Sequence, residues 1–279
     1  MNGNFKRKSS SEKSRITEKP NRVFKPEAEL VEIPEGTVFG RNAVRELLTD
    51  GRDVEKIYIQ RGDREGSINQ LIGIAAERRI PIVELDKQKL DRMCAGARHQ
   101  GIVAIASEQS YSSIDDILAY ADERGEAPFI VVLDGVEDPH NLGAIIRSAE
   151  CMGAHGIIIP KRRAVGLTAT VAKASAGAIM HMRVAKVTNL AQTIDELKEK
   201  GLWFYAADMD GDSLYRTDMK GAVGIVLGSE GDGISRLVKE KCDFVISIPM
   251  YGNVNSMNVS CAAAVILSEV ANQKNRGEV

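Results

Sequence analysis

The chain has 279 residues, of which 43% are hydrophobic and 27% are charged. This composition is that of a globular protein with a buried core, which excludes a wholly disordered chain, and the length fits about two domains. The formal net charge is −2, but residues 1–25 carry eight Lys or Arg against two Glu. No segment has the roughly 18 apolar residues of a membrane span, and the N-terminus lacks the apolar run of a secretory signal, so we expect a cytoplasmic protein.

The four cysteines and four histidines show no metal-binding or disulfide spacing. The cysteines contain no C-x-x-C pair, and the histidines form no H-E-x-x-H array. We therefore expect neither a zinc site nor a disulfide framework, and we interpret the cysteines as small buried side chains.

The first part of the chain divides into a tail, a small domain and a linker. Residues 1–35 are basic and lack an apolar pattern, which predicts a flexible tail that can attract phosphate backbones. Residues 36–108 alternate between helical and strand-like patterns and predict a compact α/β domain. Its predicted helices lie around 43–48, 68–75 and 87–93, and its predicted strands at 56–60, 81–85 and 101–106. Residues 109–128, with a short helix around 114–118, are predicted to form the linker.

Residues 129–274 predict a second α/β domain. Uninterrupted apolar segments are typical of central parallel strands, because both faces of such strands are buried. These segments occur at 129–133, 157–159, 203–207, 223–227 and 244–248, and alternate with helical patterns near 142–152, 168–180, 190–200 and 234–241. Strands that alternate with crossover helices predict a parallel sheet.

The loops after three of these strands are rich in glycine and amide side chains. Ligands of open α/β sheets bind beyond the carboxyl ends of the strands, so these loops are the candidate site. They contain no G-x-x-x-x-G-K-[ST], G-x-G-x-x-G or G-x-S-x-G pattern, which argues against nucleotide hydrolysis, dinucleotide binding and acyl transfer. Backbone amides suit a neutral heterocycle with an amino acid tail, although composition alone does not select one ligand.

Taken together, the three loops resemble the motifs of the SpoU (TrmH-type) family of RNA ribose 2′-O-methyltransferases, within the SPOUT class. The matching segments are Asp138–Arg147, Leu227–Ile234, and Ile248–Met250 followed by Asn255–Ser260. The resemblance spans about residues 36–272, and Phe39–Val44 looks like the start of the L30e-like RNA-binding domain of the branch that modifies a guanosine of 23S ribosomal RNA. It implies an α/β SPOUT-type parallel sheet with a C-terminal trefoil knot. It also implies S-adenosylmethionine as co-substrate, a homodimer and no metal.

The resemblance also assigns roles to individual residues. The implied catalytic residues are Asn141, Arg147, Glu230, Ser256 and Asn258, and the implied cofactor-binding residues are Leu227, Gly228, Ile248, Pro249 and Met257. Candidate RNA contacts in the first domain are Arg41, Asn42, Arg98 and His99. The family account makes Arg147 the group that activates the ribose hydroxyl. A guanidinium is a poor base, however, so binding the adjacent phosphate or stabilising the nascent alkoxide is physically easier.

From the residues alone, several of these side chains have simpler structural roles. Asn141 is predicted to cap the helix that follows it, and Ser256 or Asn258 to cap the last helix. An isolated Glu in a glycine-rich loop is usually solvent-exposed. Three alternatives to a ribosomal RNA methyltransferase also stay open: the same reaction on transfer RNA, a non-catalytic RNA-binding or ribosome-assembly factor, and a methylation-based antibiotic resistance enzyme.

Overall fold

The computed structural model describes residues 1, 36–50, 52–62, 66–107 and 109–275. The predicted basic tail lies outside the described residues, apart from Met1. Two β-sheets organise the remainder. We call residues 36–107 the N-terminal lobe and residues 109–275 the C-terminal lobe, while the domain boundaries given above stay a prediction.

The N-terminal lobe is a four-stranded sheet with three helices. Its elements are β1 (Thr37–Phe39), α1 (Arg41–Thr49), β2 (Val54–Gln60), α2 (Ser67–Glu77), β3 (Ile82–Leu85), α3 (Lys87–Met93) and β4 (Ile102–Ala106). The strand order is β1-β4-β2-β3, and only β2 and β3 are parallel. The predicted helices and strands are confirmed, and β1 is an additional strand outside the predicted set.

The C-terminal lobe contains a six-stranded sheet in which every neighbouring pair of strands is parallel. The strand order is β10-β8-β9-β5-β6-β7. In chain order the elements are α4 (Ile114–Glu123), β5 (Phe129–Asp134), α5 (Pro139–Cys151), β6 (Gly156–Pro160), α6 (Ala169–Ala174), β7 (Arg183–Val187), α7 (Leu190–Glu199), β8 (Trp203–Ser213), β9 (Val223–Gly228), α8 (Arg236–Lys241), β10 (Phe244–Ser247) and α9 (Val259–Lys274). The predicted α/β fold with a parallel sheet is confirmed, and the trefoil knot stays an expectation from the family.

Burial explains why the central strands were recognisable. Ile130, Val131 and Val132 on β5 are all fully buried, because α5 and α9 cover one face of the sheet and α4 and α7 the other. Helix α4 falls within the predicted linker, yet its Ile117 packs against Gly156 so closely that a Cβ there would overlap Ile117. The helix therefore belongs to the packed body of the C-terminal lobe.

Two local predictions in this lobe are wrong. The helix predicted at 168–180 ends at Ala174, because Ala176 and Gly177 adopt left-handed backbone angles, with φ of 49° and 89°. A short 3-10 turn at Ala178–Met180 follows. Asn141 does not cap α5, because Asp138 accepts the first free amides and Pro139 occupies the first helical position.

The cysteines are less buried than predicted. Cys94 is buried and Cys242 partly so, but Cys151 and Cys261 are exposed, so the prediction of buried thiols is wrong for these two. Among the described residues no group of His, Cys, Asp or Glu is arranged to hold a metal ion. No helix in the described ranges has both the length and the apolar character to cross a membrane.

A buried polar network, which we call the clasp, joins the two lobes. Glu55 on β2 is 7% exposed and accepts hydrogen bonds from Ser107 Oγ (2.8 Å), Leu167 N (3.0 Å), the Tyr111 hydroxyl and Lys186 Nζ on β7. Burial and the adjacent Glu55 charge raise the pKa of Tyr111 well above its usual value. Three of these four donors belong to the C-terminal lobe, so the buried carboxylate is satisfied mainly across the boundary between the lobes.

The imidazole of His155 fixes the start of β5. Its Nδ1 accepts a hydrogen bond from Phe129 N (2.9 Å), so the ring proton lies on Nε2, which is 3.1 Å from Glu126 Oε2. The ring is 1% exposed, and burial lowers its pKa despite the neighbouring carboxylate. His155 is therefore held neutral in the folded protein.

Candidate functional site

Three polar side chains from distant parts of the chain meet at the carboxyl edge of the large sheet. Asn141 Nδ2 donates to Glu230 Oε1 (3.1 Å), and Asn258 Nδ2 donates both to Asn141 Oδ1 (3.0 Å) and to Glu230 Oε1. They lie at the start of α5, after β9 and before α9 respectively. We call these three residues the amide–carboxylate cluster.

The oxygen and the nitrogen of the Asn258 amide make different contacts, one with helix α9 and one with the cluster. Its Oδ1 accepts from Ser260 N (2.9 Å) and Cys261 N (3.4 Å), which caps α9 as predicted. Because Oδ1 is turned into the helix, Nδ2 points out toward the cluster. The cap therefore sets the orientation of the donor group.

The cluster borders a cleft of about 360 Å³ with an acidic lining. The charged residues on its wall are five carboxylates and one cation: Asp134, Glu137, Asp138, Glu230, Asp232 and Arg163. Two of the carboxylates also bind backbone amides, since Asp134 accepts from Ser235 N (2.8 Å) and Asp138 caps α5. A cleft of this charge favours a cationic ligand and disfavours a chain of phosphates.

Two of the predicted catalytic residues do not reach the cluster in this chain. Arg147 is exposed on α5, and its side chain makes no hydrogen bond or ion pair with any described residue. It lies six positions after Asn141, about 9 Å along the helix axis and about 240° around it, so the two side chains leave different faces. Ser256 is exposed in the loop before α9 and has no hydrogen bond within the described ranges.

The predicted cofactor-binding residues follow or end β9 and β10. Leu227 is buried, Gly228, Ile248 and Pro249 are partly buried, and Met257 is 40% exposed. A side chain at Gly228 would overlap the backbone of Gly233, because the intervening turn folds back on the strand and is closed by two hydrogen bonds between Ser229 and Gly233. This edge thus presents backbone and apolar side chains beside an acidic cleft.

Those features fit S-adenosylmethionine. Its adenine is a neutral heterocycle that suits backbone and apolar contacts, and its sulfonium and ammonium are cations that suit an acidic surrounding. The residues that the resemblance assigns to the cofactor, and that would hold it here, are Leu227, Gly228, Ile248, Pro249 and Met257.

The four candidate RNA contacts line a single cavity of about 850 Å³ in the N-terminal lobe. Arg41 donates from its backbone N to Gln100 Oε1 (3.0 Å) and from Nε to Gln100 O (3.2 Å), which fixes the start of α1 against the loop before β4. Lys87 and Gln60 line the same cavity and were not predicted. Asn42 and Arg98 complete the polar wall.

His99 differs from the other three, because its side chain is buried. It is 5% exposed, Nδ1 accepts from Gly101 N (3.0 Å), and Nε2 lies 3.0 Å from Asp91 Oδ1. Both ring nitrogens are thus used within the lobe, which argues against direct contact with RNA. The ring instead holds the loop on which Arg98 lies.

Comparison with known proteins identifies the family. Residues 128–268 match the SpoU rRNA Methylase family, and residues 37–112 match the RNA 2′-O ribose methyltransferase substrate-binding family. A Bacillus subtilis relative, YacO, whose name places it among TrmH family tRNA/rRNA methyltransferases, is 48% identical over 239 residues, which are 85% of this chain and 96% of that protein. A relative from Staphylococcus haemolyticus with the same family name is 47% identical over 242 residues, 86% of this chain and 96% of that protein.

Solved structures agree with this assignment at the level of fold. The SpoU methyltransferase AviRb from Streptomyces viridochromogenes, in complex with AdoMet, superposes with a TM-score of 0.55 at 23% identity, covering 86% of this chain and 91% of that one. The TrmH/SpoU tRNA modifying enzyme of A. aeolicus gives a TM-score of 0.50 at 27% identity, covering 55% of this chain and 78% of that one. The chain therefore belongs to the SpoU methylase family of RNA methyltransferases.

Proposed function

We propose that this protein transfers a methyl group from S-adenosylmethionine to the ribose 2′-oxygen of a guanosine in 23S ribosomal RNA. The observation that carries the proposal is the amide–carboxylate cluster, in which Asn141, Glu230 and Asn258 meet although they are far apart in sequence. These are three of the five residues to which the family resemblance gives catalytic roles. Their joint position beside an acidic cleft supports a site for a cationic donor.

The residues of the chain supply alignment and charge. When bound, S-adenosylmethionine supplies an electrophilic methyl on a sulfonium and leaves as a neutral thioether. The ribose oxygen would form its new bond to the methyl carbon as the carbon–sulfur bond breaks, and the hydroxyl proton would pass from that oxygen to water. Arg147 stabilises the developing negative charge on the oxygen or binds the adjacent phosphate, and the amide–carboxylate cluster orients the ribose, with Asn258 holding Asn141 and Glu230 in place.

We propose that the active protein is a homodimer. Arg147 and Ser256 stay outside the cluster of their own chain, so a second chain is a natural source of both groups. The loop that precedes α9 also exposes large apolar side chains, with Tyr251 at 94% and Val254 at 72% exposure. Exposed apolar side chains of this density mark an interaction surface.

We propose that the RNA binds across the N-terminal lobe as well. Arg41, Asn42 and Arg98 share a cavity whose wall also includes Lys87, and all four side chains can bind phosphate or sugar oxygens. The match of residues 37–112 to a substrate-binding family supports this assignment. Protein without metal is expected to be active, because displacement at a sulfonium methyl needs alignment and charge stabilisation only.

The cluster is tested by Asn258→Asp, which keeps the cap of α9 and removes the hydrogen-bond donor to Glu230. Asp is a good helix cap, so α9 is expected to be retained, but the Nδ2 donor is replaced by a carboxylate oxygen facing Glu230. We expect methyl transfer from tritiated donor to 23S RNA to fall by about tenfold to a hundredfold, because small misplacements at a reacting centre have effects of that order. Asn189→Asp, the same change at the cap of α7, is the control and should leave transfer unchanged.

The outcomes distinguish the open alternatives. Wild-type protein that labels transfer RNA and not 23S RNA would contradict the substrate assignment and favour the tRNA enzyme. Binding of RNA without any transfer would support an assembly factor. Wild-type transfer that Asn258→Asp leaves intact would remove the cluster from the mechanism.

A further inference from the structure

A run of three cations, Lys161-Arg162-Arg163, follows β6 at the carboxyl edge of the large sheet. Arg162 and Arg163 are exposed and Lys161 is partly exposed. None of these side chains forms a hydrogen bond or ion pair with a residue that the structure describes. We call this run the basic loop.

The basic loop forms one wall of a groove between the two lobes, with a volume of about 500 Å³. The opposite wall consists of Lys56 and Tyr58 on β2 together with residues of β3 and β4. The clasp crosses this groove, and its Glu55 is neutralised by Lys186. The remaining charges on the lining are four cations, on Lys56 and the basic loop, against Glu137 alone. The groove is therefore strongly positive.

Arg163 connects this groove to the acidic cleft. Arg163 and Glu137 line both cavities, and Arg163 is the one cation among the described residues that line the acidic cleft. Its backbone φ of 55° lies in the left-handed region, which is uncommon for a residue other than glycine. RNA that enters the cleft brings phosphates toward five carboxylates, so a cation at this boundary offsets their repulsion.

We propose that the basic loop and Lys56 form a track for the RNA backbone that leads from between the lobes to the amide–carboxylate cluster. Arg163 binds the phosphate nearest to the reacting ribose. This inference rests on the proposed function and adds residues outside the family motifs to its RNA-binding surface. An open groove whose cations have no partner among the described residues fits the phosphate backbone of a single RNA strand, because phosphate contacts position the strand without reading its sequence.

The test uses the full chain with Arg162→Gln and Arg163→Gln combined. The control is Arg216→Gln with Lys220→Gln, which also removes two exposed cations. These residues lie next to Thr217 and Met219, which bind Gln273 at the opposite edge of the sheet, where β9 begins. Affinity for a 23S RNA fragment is measured by fluorescence anisotropy over a series of salt concentrations. Uptake of S-adenosylmethionine is measured by calorimetry.

We expect the groove variant to bind RNA on the order of tenfold more weakly for each arginine that no longer binds a phosphate, and the control to bind like wild type. The slope of log affinity against log salt should become shallower by about 1.4, because each phosphate bound on a single strand contributes about 0.7. Donor uptake should not weaken, because Arg163 is a cation on the wall of the acidic cleft and its replacement leaves the surroundings of the cationic donor more negative.

A groove variant with the wild-type affinity and salt slope would overturn the inference. Arg162→Lys with Arg163→Lys keeps both charges and should keep the slope, so a shallower slope in this variant would overturn it as well. RNA binding that depends on the basic loop, in a protein that transfers no methyl group to any RNA, would support the track and refute the proposed function.

Discussion

The clasp between the lobes makes a quantitative prediction for Glu55→Ala. The substitution removes the acceptor of four hydrogen bonds and leaves the Lys186 ammonium, which is 14% exposed, without its carboxylate. Loss of one partner from a buried ion pair typically costs about 3–5 kcal/mol, because the other charge stays buried and unpaired.

We expect the lower end of that range. Lys186 Nζ keeps a hydrogen bond to the Tyr111 hydroxyl (3.1 Å) and its position over the Tyr111 ring, and Leu167 N also lies 3.0 Å from that hydroxyl. A loss of about 3 kcal/mol corresponds to a fall in Tm of roughly 6–12 °C for a protein of this size. Differential scanning calorimetry and urea unfolding, followed by circular dichroism, measure the change.

Two further variants decide whether burial of the charge is the cause. Asp115→Ala removes a surface ion pair between Asp115 and Lys200, whose side chains are 85% and 49% exposed respectively. This change should lower the free energy of unfolding by less than about 1 kcal/mol. Glu55→Ala combined with Lys186→Met removes both charges and should be more stable than Glu55→Ala alone. If Glu55→Ala costs no more than Asp115→Ala, or if the combined variant is no more stable than Glu55→Ala, the clasp does not stabilise the protein as argued.

Two other predictions concern a buried imidazole and an exposed guanidinium. Burial lowers the pKa of His155 in the folded state, so the unfolded chain takes up the proton first and stability should fall as the pH drops below about 6.5. His155→Gln should flatten that part of the curve of unfolding free energy against pH, whereas His181→Gln, at an exposed site, should leave the curve unchanged. Equal curves for both variants would contradict the role of His155 in this pH dependence. Arg147→Ala should lower the kcat of methyl transfer by about 10²- to 10³-fold with little change in RNA affinity, as is typical when one group that stabilises developing charge is removed; a kcat equal to that of wild type would exclude the role.

The fold was predictable where burial leaves a local signature in the sequence. The strands at Phe129–Asp134 and Val223–Gly228 are buried on both faces, so their apolar runs stand out. Strand β7, Arg183–Val187, has no such signature, because it lies at the edge of the sheet and its short apolar run is interrupted by the cation Lys186. The predicted helix at 168–180 failed because its small side chains gave no sign that Ala176 adopts a left-handed angle.

The site was predictable in part, and mainly through the family motifs. Local reasoning offered Ser256 or Asn258 as the cap of α9, and the cap is Asn258. For α5 it chose Asn141, although Asp138 followed by Pro139 is the stronger start signal. No periodicity indicates that Glu55 would meet Lys186, because the two are 131 positions apart. Contacts of this kind depend on how the lobes pack, which short sequence windows do not record.

The double use of Asn258 ties the assembly of the site to the completion of the fold. Its amide can face Glu230 only when its oxygen is engaged by the first turn of α9, which is the last helix in the described part of the chain. Helix α9 also covers one face of the sheet and places Val259 on the wall of the acidic cleft, so a chain without this helix lacks part of the core as well as the third member of the cluster. The proposed site is therefore completed by the same helix that completes the core.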